Sequence, residues 1–204
     1  MARTMVFIDH MNFQIALGSL YSPETAPRLD YNELPRQIVA SVNGGELMKT
    51  ILFIPKPDDF LMQDEGLEKY YNWAAGMRVQ RNFDVIEGTH TARPMKHDVP
   101  MNIKDSDTYY KVEKGTDVNI AINALRMAFF NAYDTAVFVS GDTDYLPIYE
   151  TLGMMGKLVM LAVVKGQYIG RLIPFVDGYV NLERAFFEKC TLKEKTARRR
   201  SRQG

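Results

Sequence analysis

Three features of the 204-residue sequence predict an α/β protein built on a mainly parallel sheet with helices on both faces. Short apolar segments alternate with amphipathic ones along the chain. The apolar segments are continuous rather than alternating, as strands covered on both faces are. Turn residues such as Asn43-Gly44-Gly45, Pro55, Pro57 and Gly156 punctuate the joins. Right-handed crossovers then restrict the topology to a few doubly wound forms.

The elements follow in order. Residues 4–8 (TMVFI) form a first buried strand that ends at Asp9. Residues 11–20 are amphipathic, and Pro23 and Pro27 mark a loop after them. Residues 32–42 read as a helix stopped by Asn43-Gly44-Gly45. Residues 49–54 (KTILFI) are a second strand, and residues 60–77 a helix capped by Asp58 or Asp59. Residues 83–87 (FDVIE) are a third strand. Residues 88–114 are irregular, with a β-prone Thr108-Tyr109-Tyr110, and read as a long loop or small hairpin. A loop of that length in a compact domain is often functional. From Asp117, the residues Val118, Ala121, Ile122, Leu125 and Phe129 follow helical spacing. Residues 135–140 (TAVFVS) are a fourth strand. Residues 145–155 are a helix that tolerates Pro147 in its first turn. Residues 157–164 are a fifth strand, 167–175 a short helix, 178–181 a sixth strand and 182–189 a last helix.

Composition narrows the class. The chain is 46% hydrophobic and 25% charged, ordinary for a globular protein. No apolar run reaches the roughly 18 residues of a membrane span, and no secretory signal opens the sequence. The single Cys190 excludes an internal disulfide and suits a reducing, cytoplasmic setting. One cysteine and three scattered histidines argue against structural zinc. Net charge is zero but uneven. Residues 189–204 hold seven basic side chains and one acid, which leaves 18 basic and 24 acidic residues in 1–188. This divides the chain into a domain, 1–188, and a basic tail, 189–204. Such a tail attracts nucleic acid or an anionic surface, or simply solvates the chain end.

Ligands of open α/β sheets bind beyond the carboxyl ends of the strands. Asp9 follows the first strand, and Asp142 and Asp144 follow the fourth, in SGDTDY. Asp117 opens the helix that feeds the fourth strand. All four therefore fall on one edge, and they meet if the first and fourth strands are neighbours. Clustered carboxylates raise one another's pKa values, and a hard divalent cation relieves the repulsion. Mg²⁺ or Mn²⁺ fits an all-oxygen ligand set and pairs with phosphate. Each acid alone also suits a helix cap or the positive end of a helix dipole.

At these residues the sequence resembles the NYN domains of the PIN-like nuclease superfamily. Three segments carry the resemblance: VFIDHMN (residues 6–12), KGTDVNIAINAL (114–125) and VFVSGDTDYLPIYETLGMMGKLVMLAVV (137–164). The resemblance implies a PIN-like three-layer sandwich with strand order 3-2-1-4-5, and metal-dependent ribonuclease activity. By motif, Asp9, Asp117, Asp142 and Asp144 become the metal-site and catalytic acids. Asn12 would hold a carboxylate or a water of the metal, Ser140 would support the site from the strand end, and Lys114 would touch phosphate. Two positions depart from the pattern. His10 replaces a small residue, and Asn123 stands where an acid is frequent, which implies one firmly held metal and a second that arrives with substrate.

Single-stranded RNA is held by phosphate contacts and stacking platforms. Residues 88–114 offer both, through Arg93, Lys96, Lys104 and Lys111 and through Tyr109 and Tyr110. Tyr70, Tyr71 and Trp73 lie at helical spacing and read as packing residues. The expected partner is RNA. An exposed apolar face would support a homodimer, but the string identifies none. Two alternatives accompany the metal-dependent endoribonuclease. One is an RNA-binding regulatory module without turnover. The other is a haloacid-dehalogenase-type phosphohydrolase, which needs Asp-x-Asp after the first strand, where this chain has Met11.

Overall fold

The computed structural model describes residues 1–192. Seven strands form one sheet among the described residues: β1 (Arg3–Asp9), β2 (Glu46–Pro57), β3 (Phe83–Pro94), β4 (Tyr109–Lys114), β5 (Thr135–Val139), β6 (Leu158–Val164) and β7 (Gly178–Leu182). Their order is β4-β3-β2-β1-β5-β6-β7. All neighbours are parallel except β3 and β4.

This order departs from the expected 3-2-1-4-5 by a strand added at each edge; the strands read as first to fifth lie in that order, as β3-β2-β1-β5-β6. The segment 88–114 takes the hairpin form of its two expected alternatives. β3 runs on past its pairing with β2, which ends at Pro57↔His90, and the chain folds back as β4, paired from Thr89↔Lys114 to Pro94↔Tyr109. The added strand covers the open hydrogen-bonding edge of β3. At the other end β7 extends the sheet beside β6. In the middle, β1 lies directly between β2 and β5, with Thr4↔Thr135 through Ile8↔Val139 in register.

The apolar strands are explained by two cores, one on each face. On β1, Val6 and Ile8 enter one core while Met5 and Phe7 enter the other. On β5, Val137 and Val139 oppose Ala136 and Phe138 in the same way. The first core is completed by α1 (His10–Leu20), α2 (Glu33–Ser41), α3 (Glu65–Gly76) and α6 (Arg184–Lys189). The second is completed by α4 (Thr116–Phe129) and α5 (Leu146–Met154). Phe7 stacks on Phe138 with ring centroids 5.2 Å apart. Each such buried side chain contributes about 1.5–3 kcal/mol.

Three local expectations shift. The third helix starts at Glu65, not near Phe60, because Asp64 is its cap and accepts the N–H groups of Gly66 and Leu67. Asp58 instead accepts from the N–H of Leu61 and of Ala92, tying this segment to the hairpin. Residues 167–175 yield only the single turn Ile173–Phe175. On α4 the buried line is Ile120, Ala124 and Ala128, while Val118, Ile122 and Phe129 face outward. The helix is apolar around most of its circumference, so spacing alone does not select the inner face. The small Ala124 and Ala128 let α4 lie close to the sheet.

Close approach recurs at Gly88. A Cβ there would meet the Lys114 carbonyl oxygen and the Thr116 amide nitrogen, each at 3.0 Å. Gly88→Ala is expected to cost about 1–3 kcal/mol of stability by overpacking. A lowered urea midpoint at unchanged slope would show it, and an unchanged midpoint would refute the close packing of β3 under the start of α4.

The packed chain continues past residue 188. Cys190 is buried, its carbonyl accepts from the Asp30 N–H, and the Leu192 N–H donates to the Arg28 carbonyl. The rest of the basic tail, residues 193–204, lies outside the described residues.

Candidate metal centre

Strand β1 delivers Asp9 to the carboxyl edge, where its side chain does two things. Oδ1 accepts from the Asn12 N–H at 3.1 Å and caps α1. Oδ2 accepts from the Tyr145 hydroxyl at 2.7 Å and faces the Ser140 hydroxyl at 3.5 Å. Strand β5 delivers Ser140, whose Oγ accepts from the Asp142 N–H at 3.1 Å. Asp142 caps the turn Thr143–Tyr145, accepting from the Asp144 N–H at 2.9 Å. Asp117 is the second residue of α4, and its Oδ1 accepts from the Tyr145 hydroxyl at 2.8 Å. Capping and clustering are thus combined in the same side chains.

One carboxylate oxygen from each of Asp9, Asp117 and Asp142 lies within 4.8 Å of the others. Asp9 is buried, Asp142 half-buried and Asp117 exposed, so the trio opens to solvent on one side. Burial raises the Asp9 carboxyl above the ordinary carboxylate range. The hydrogen bonds from Tyr145 and Asn12 oppose this, and the charges of Asp117 and Glu113 add to it. Tyr145 has one proton to offer two carboxylates. A cation placed among the three oxygens relieves the desolvation and the repulsion together, so the donor set suits a hard divalent ion.

The remaining expected residues divide. Asp144 is exposed, and its carboxylate stands outside the trio. The Asn12 side-chain oxygen accepts from the Gly141 N–H and from Gln167 Nε2, so it braces the β5 loop. Asn123 donates to the Asn119 carbonyl and accepts from Arg126, with no contact to the acids. Lys114 lines the cleft that contains Asp9, Asp117 and Asp142. Arg93, Lys111 and Tyr110 are exposed on the hairpin, with Arg93 opposite Tyr110, and Lys96 and Lys104 are exposed at its tip. Tyr109 is corrected as a stacking platform. It is buried edge-on against Phe60, 5.1 Å between centroids, because β4 turns it toward the body of the protein.

Two residues escaped sequence reasoning. In the sequence Tyr145 reads only as the start of a helix, although a buried tyrosine hydroxyl usually finds a partner. Glu113 precedes the Lys-Gly motif and lines the same cleft, accepting from the Thr116 hydroxyl at 2.6 Å. His10 is fully buried between the hydroxyls of Tyr31 and Tyr70. Burial holds its pKa down to about 3, so the imidazole is neutral near pH 7.

A family model of the NYN domain matches residues 3–183. The chain belongs to the NYN domain family. Its nuclease-type fold is shared with a crystal structure of a Vibrio parahaemolyticus protein of unknown function. That structure aligns with a TM-score of 0.57 and 17% identity over 94% of this chain and 96% of the other. At that identity the likeness concerns the fold. No curated protein sequence matches the chain. The NYN match spans all three elements that carry the acids, β1, α4 and the β5 loop. No described helix of this NYN domain is long and apolar enough to cross a membrane.

Proposed function

We propose that this NYN domain is a metal-dependent endoribonuclease that holds Mg²⁺ or Mn²⁺ on Asp9, Asp117 and Asp142. The convergence of three carboxylate oxygens within 4.8 Å at the carboxyl edge carries this reading. Asp144 is assigned no metal contact. Glu113 supplies the further carboxylate that Asn123 does not, for a second ion brought by substrate. Bound at the trio, the ion would neutralise charge on the scissile phosphate and lower the pKa of an attacking water. Lys114 is assigned to a non-bridging phosphate oxygen. Arg93, Lys96, Lys111 and Tyr110 are assigned to the strand beyond it, since the hairpin projects past the carboxyl edge. Water attacks phosphorus, the bond to the 3′ oxygen breaks, and the products carry 5′-phosphate and 3′-hydroxyl ends. The single, buried Cys190 suits a reducing cytoplasm.

The test is cleavage of end-labelled single-stranded and hairpin RNA by pure protein, with DNA of the same sequence in parallel. Products are expected with Mg²⁺ or Mn²⁺ and not with EDTA, and Asp142→Asn is expected to yield none. Cleavage that persists in EDTA or in Asp142→Asn would overturn the assignment. RNA binding without products in any metal would favour the non-catalytic module.

A further inference from the structure

Beside the metal centre lies a second cavity that the nuclease chemistry does not use. It has a volume of about 260 Å³ and is walled by Tyr31, Tyr70 and Trp73, with Gln14 and Arg28 among its polar lining. The rings are held in fixed relation. Trp73 meets Tyr31 edge-on at 5.2 Å and Tyr70 at 6.2 Å. Tyr31 and Tyr70 are each anchored through their hydroxyls to the two nitrogens of His10. Trp73 itself is 47% exposed, which leaves part of the indole open to a ligand. A neighbouring cavity shares Tyr31 and Trp73 and is lined by Gln80, whose buried Oε1 has no hydrogen-bond partner among the described residues.

We propose that this aromatic cavity takes a nucleobase of the RNA strand whose backbone crosses the acidic centre. The inference rests on the reading of that centre as an RNA site. Four observations select the ligand. The cavity, at about 260 Å³, has room for one ring of a polymer. Three aromatic rings stand in an otherwise mostly apolar lining, and every base has a face that stacks on such a ring whatever its sequence. The cavity also adjoins the metal centre: the Tyr70 hydroxyl is hydrogen-bonded to His10 Nδ1, and His10 follows Asp9 directly. Finally, the cavity lining includes a cation, Arg28. Arg28 has no ion-pair partner among the described residues. A base entering here stacks on Trp73 and leaves its phosphate toward Arg28.

Trp73 is the chain's single tryptophan, so the site carries its own probe. Emission would be followed while AMP, UMP or ribose 5-phosphate is titrated into the wild type and Asp142→Asn, both in EDTA. Saturable quenching by the two nucleotides, not by ribose 5-phosphate, is expected in both proteins, with an apparent Kd several-fold higher in Arg28→Ala. Trp73→Ala is expected to weaken binding of a short oligoribonucleotide by about 5- to 100-fold, and Trp73→Phe to restore most of it. Linear quenching, equal quenching by ribose 5-phosphate, or unchanged oligonucleotide binding in Trp73→Ala would overturn the proposal. Because the titration needs neither metal nor turnover, its outcome is independent of the cleavage assay. Quenching without cleavage would overturn the nuclease and leave a base site. Cleavage without quenching would overturn the base site alone.

Discussion

Replacing Asp9 by Asn is expected to abolish RNA cleavage and, in the same protein, to raise thermal stability in EDTA at pH 7. The two effects share one cause. Asp9 is the buried member of the trio, and burial together with Asp117 and Glu113 disfavours its charge. Asparagine has nearly the same shape. Its side-chain oxygen can keep either the bond from the Asn12 N–H or the one from Tyr145, and it carries no charge into the site. Removing a metal ligand should cost more than the roughly 10–100-fold typical of an outer-sphere partner. The stability gain has a definite pH window. The folded pKa of Asp9 lies above the unfolded one, so folding is penalised by this group above the folded pKa. The penalty fades as pH falls toward the unfolded value of about 3.9. The variant should therefore unfold at a higher temperature than wild type at pH 7. At this chain length about 1 kcal/mol moves the midpoint by about 2–4 °C. The two curves should converge near pH 4. Differential scanning calorimetry in EDTA at both pH values decides it, and a lower midpoint for Asp9→Asn at pH 7 would falsify the electrostatic account.

Tyr145→Phe is the second substitution with a large expected effect. The hydroxyl it deletes holds Asp9 Oδ2 and Asp117 Oδ1 in one geometry. Without it, two like charges are free to diverge, and Asp9 Oδ2 keeps only the 3.5 Å approach of Ser140. Affinity for Mn²⁺ should fall by about 10–100-fold, read by titration calorimetry or by the loss of the free-ion resonance. The ring itself stays in the second core, so the circular dichroism spectrum should not change. Unchanged Mn²⁺ affinity would show that the phenol is a packing residue only.

Much of this arrangement is legible in the sequence alone. The alternation of apolar and amphipathic segments specifies parallel strands, because only strands covered on both faces lack a polar face. It also specifies that Asp9, Asp117 and Asp142 reach one edge. What stayed hidden depends on distances across the fold. The same strand–helix pattern does not say that β4 returns against β3, since hairpin pairing there depends on residues separated by an irregular tip. Helical spacing on α4 names the right helix but only part of its inner face: Ala121 and Leu125 pack against the core, while Val118 and Ile122, as apolar as Ile120, do not. Asp144 repeats the chemistry of Asp142 two residues on, yet the turn Thr143–Tyr145 swings it outward. Tyr145 and Trp73 illustrate the same limit from opposite sides. An aromatic at helical spacing looks like core in a sequence, and only packing separates a buried phenol that bridges two acids from an indole left half open.

The pairing of β1 with β5 has a consequence for how the protein is made. Residues Thr4–Ile8 reach their partners only after residues 135–139 have been synthesised. Long-range parallel pairing of this kind forms slowly, since the intervening chain must close before any contact stabilises it. The acidic centre needs Asp9 from one partner and Asp142 from the loop that follows the other. A nascent chain on the ribosome therefore carries its carboxylates apart until most of its length has emerged. The acidic trio cannot form before residues 135–142 have emerged to meet β1.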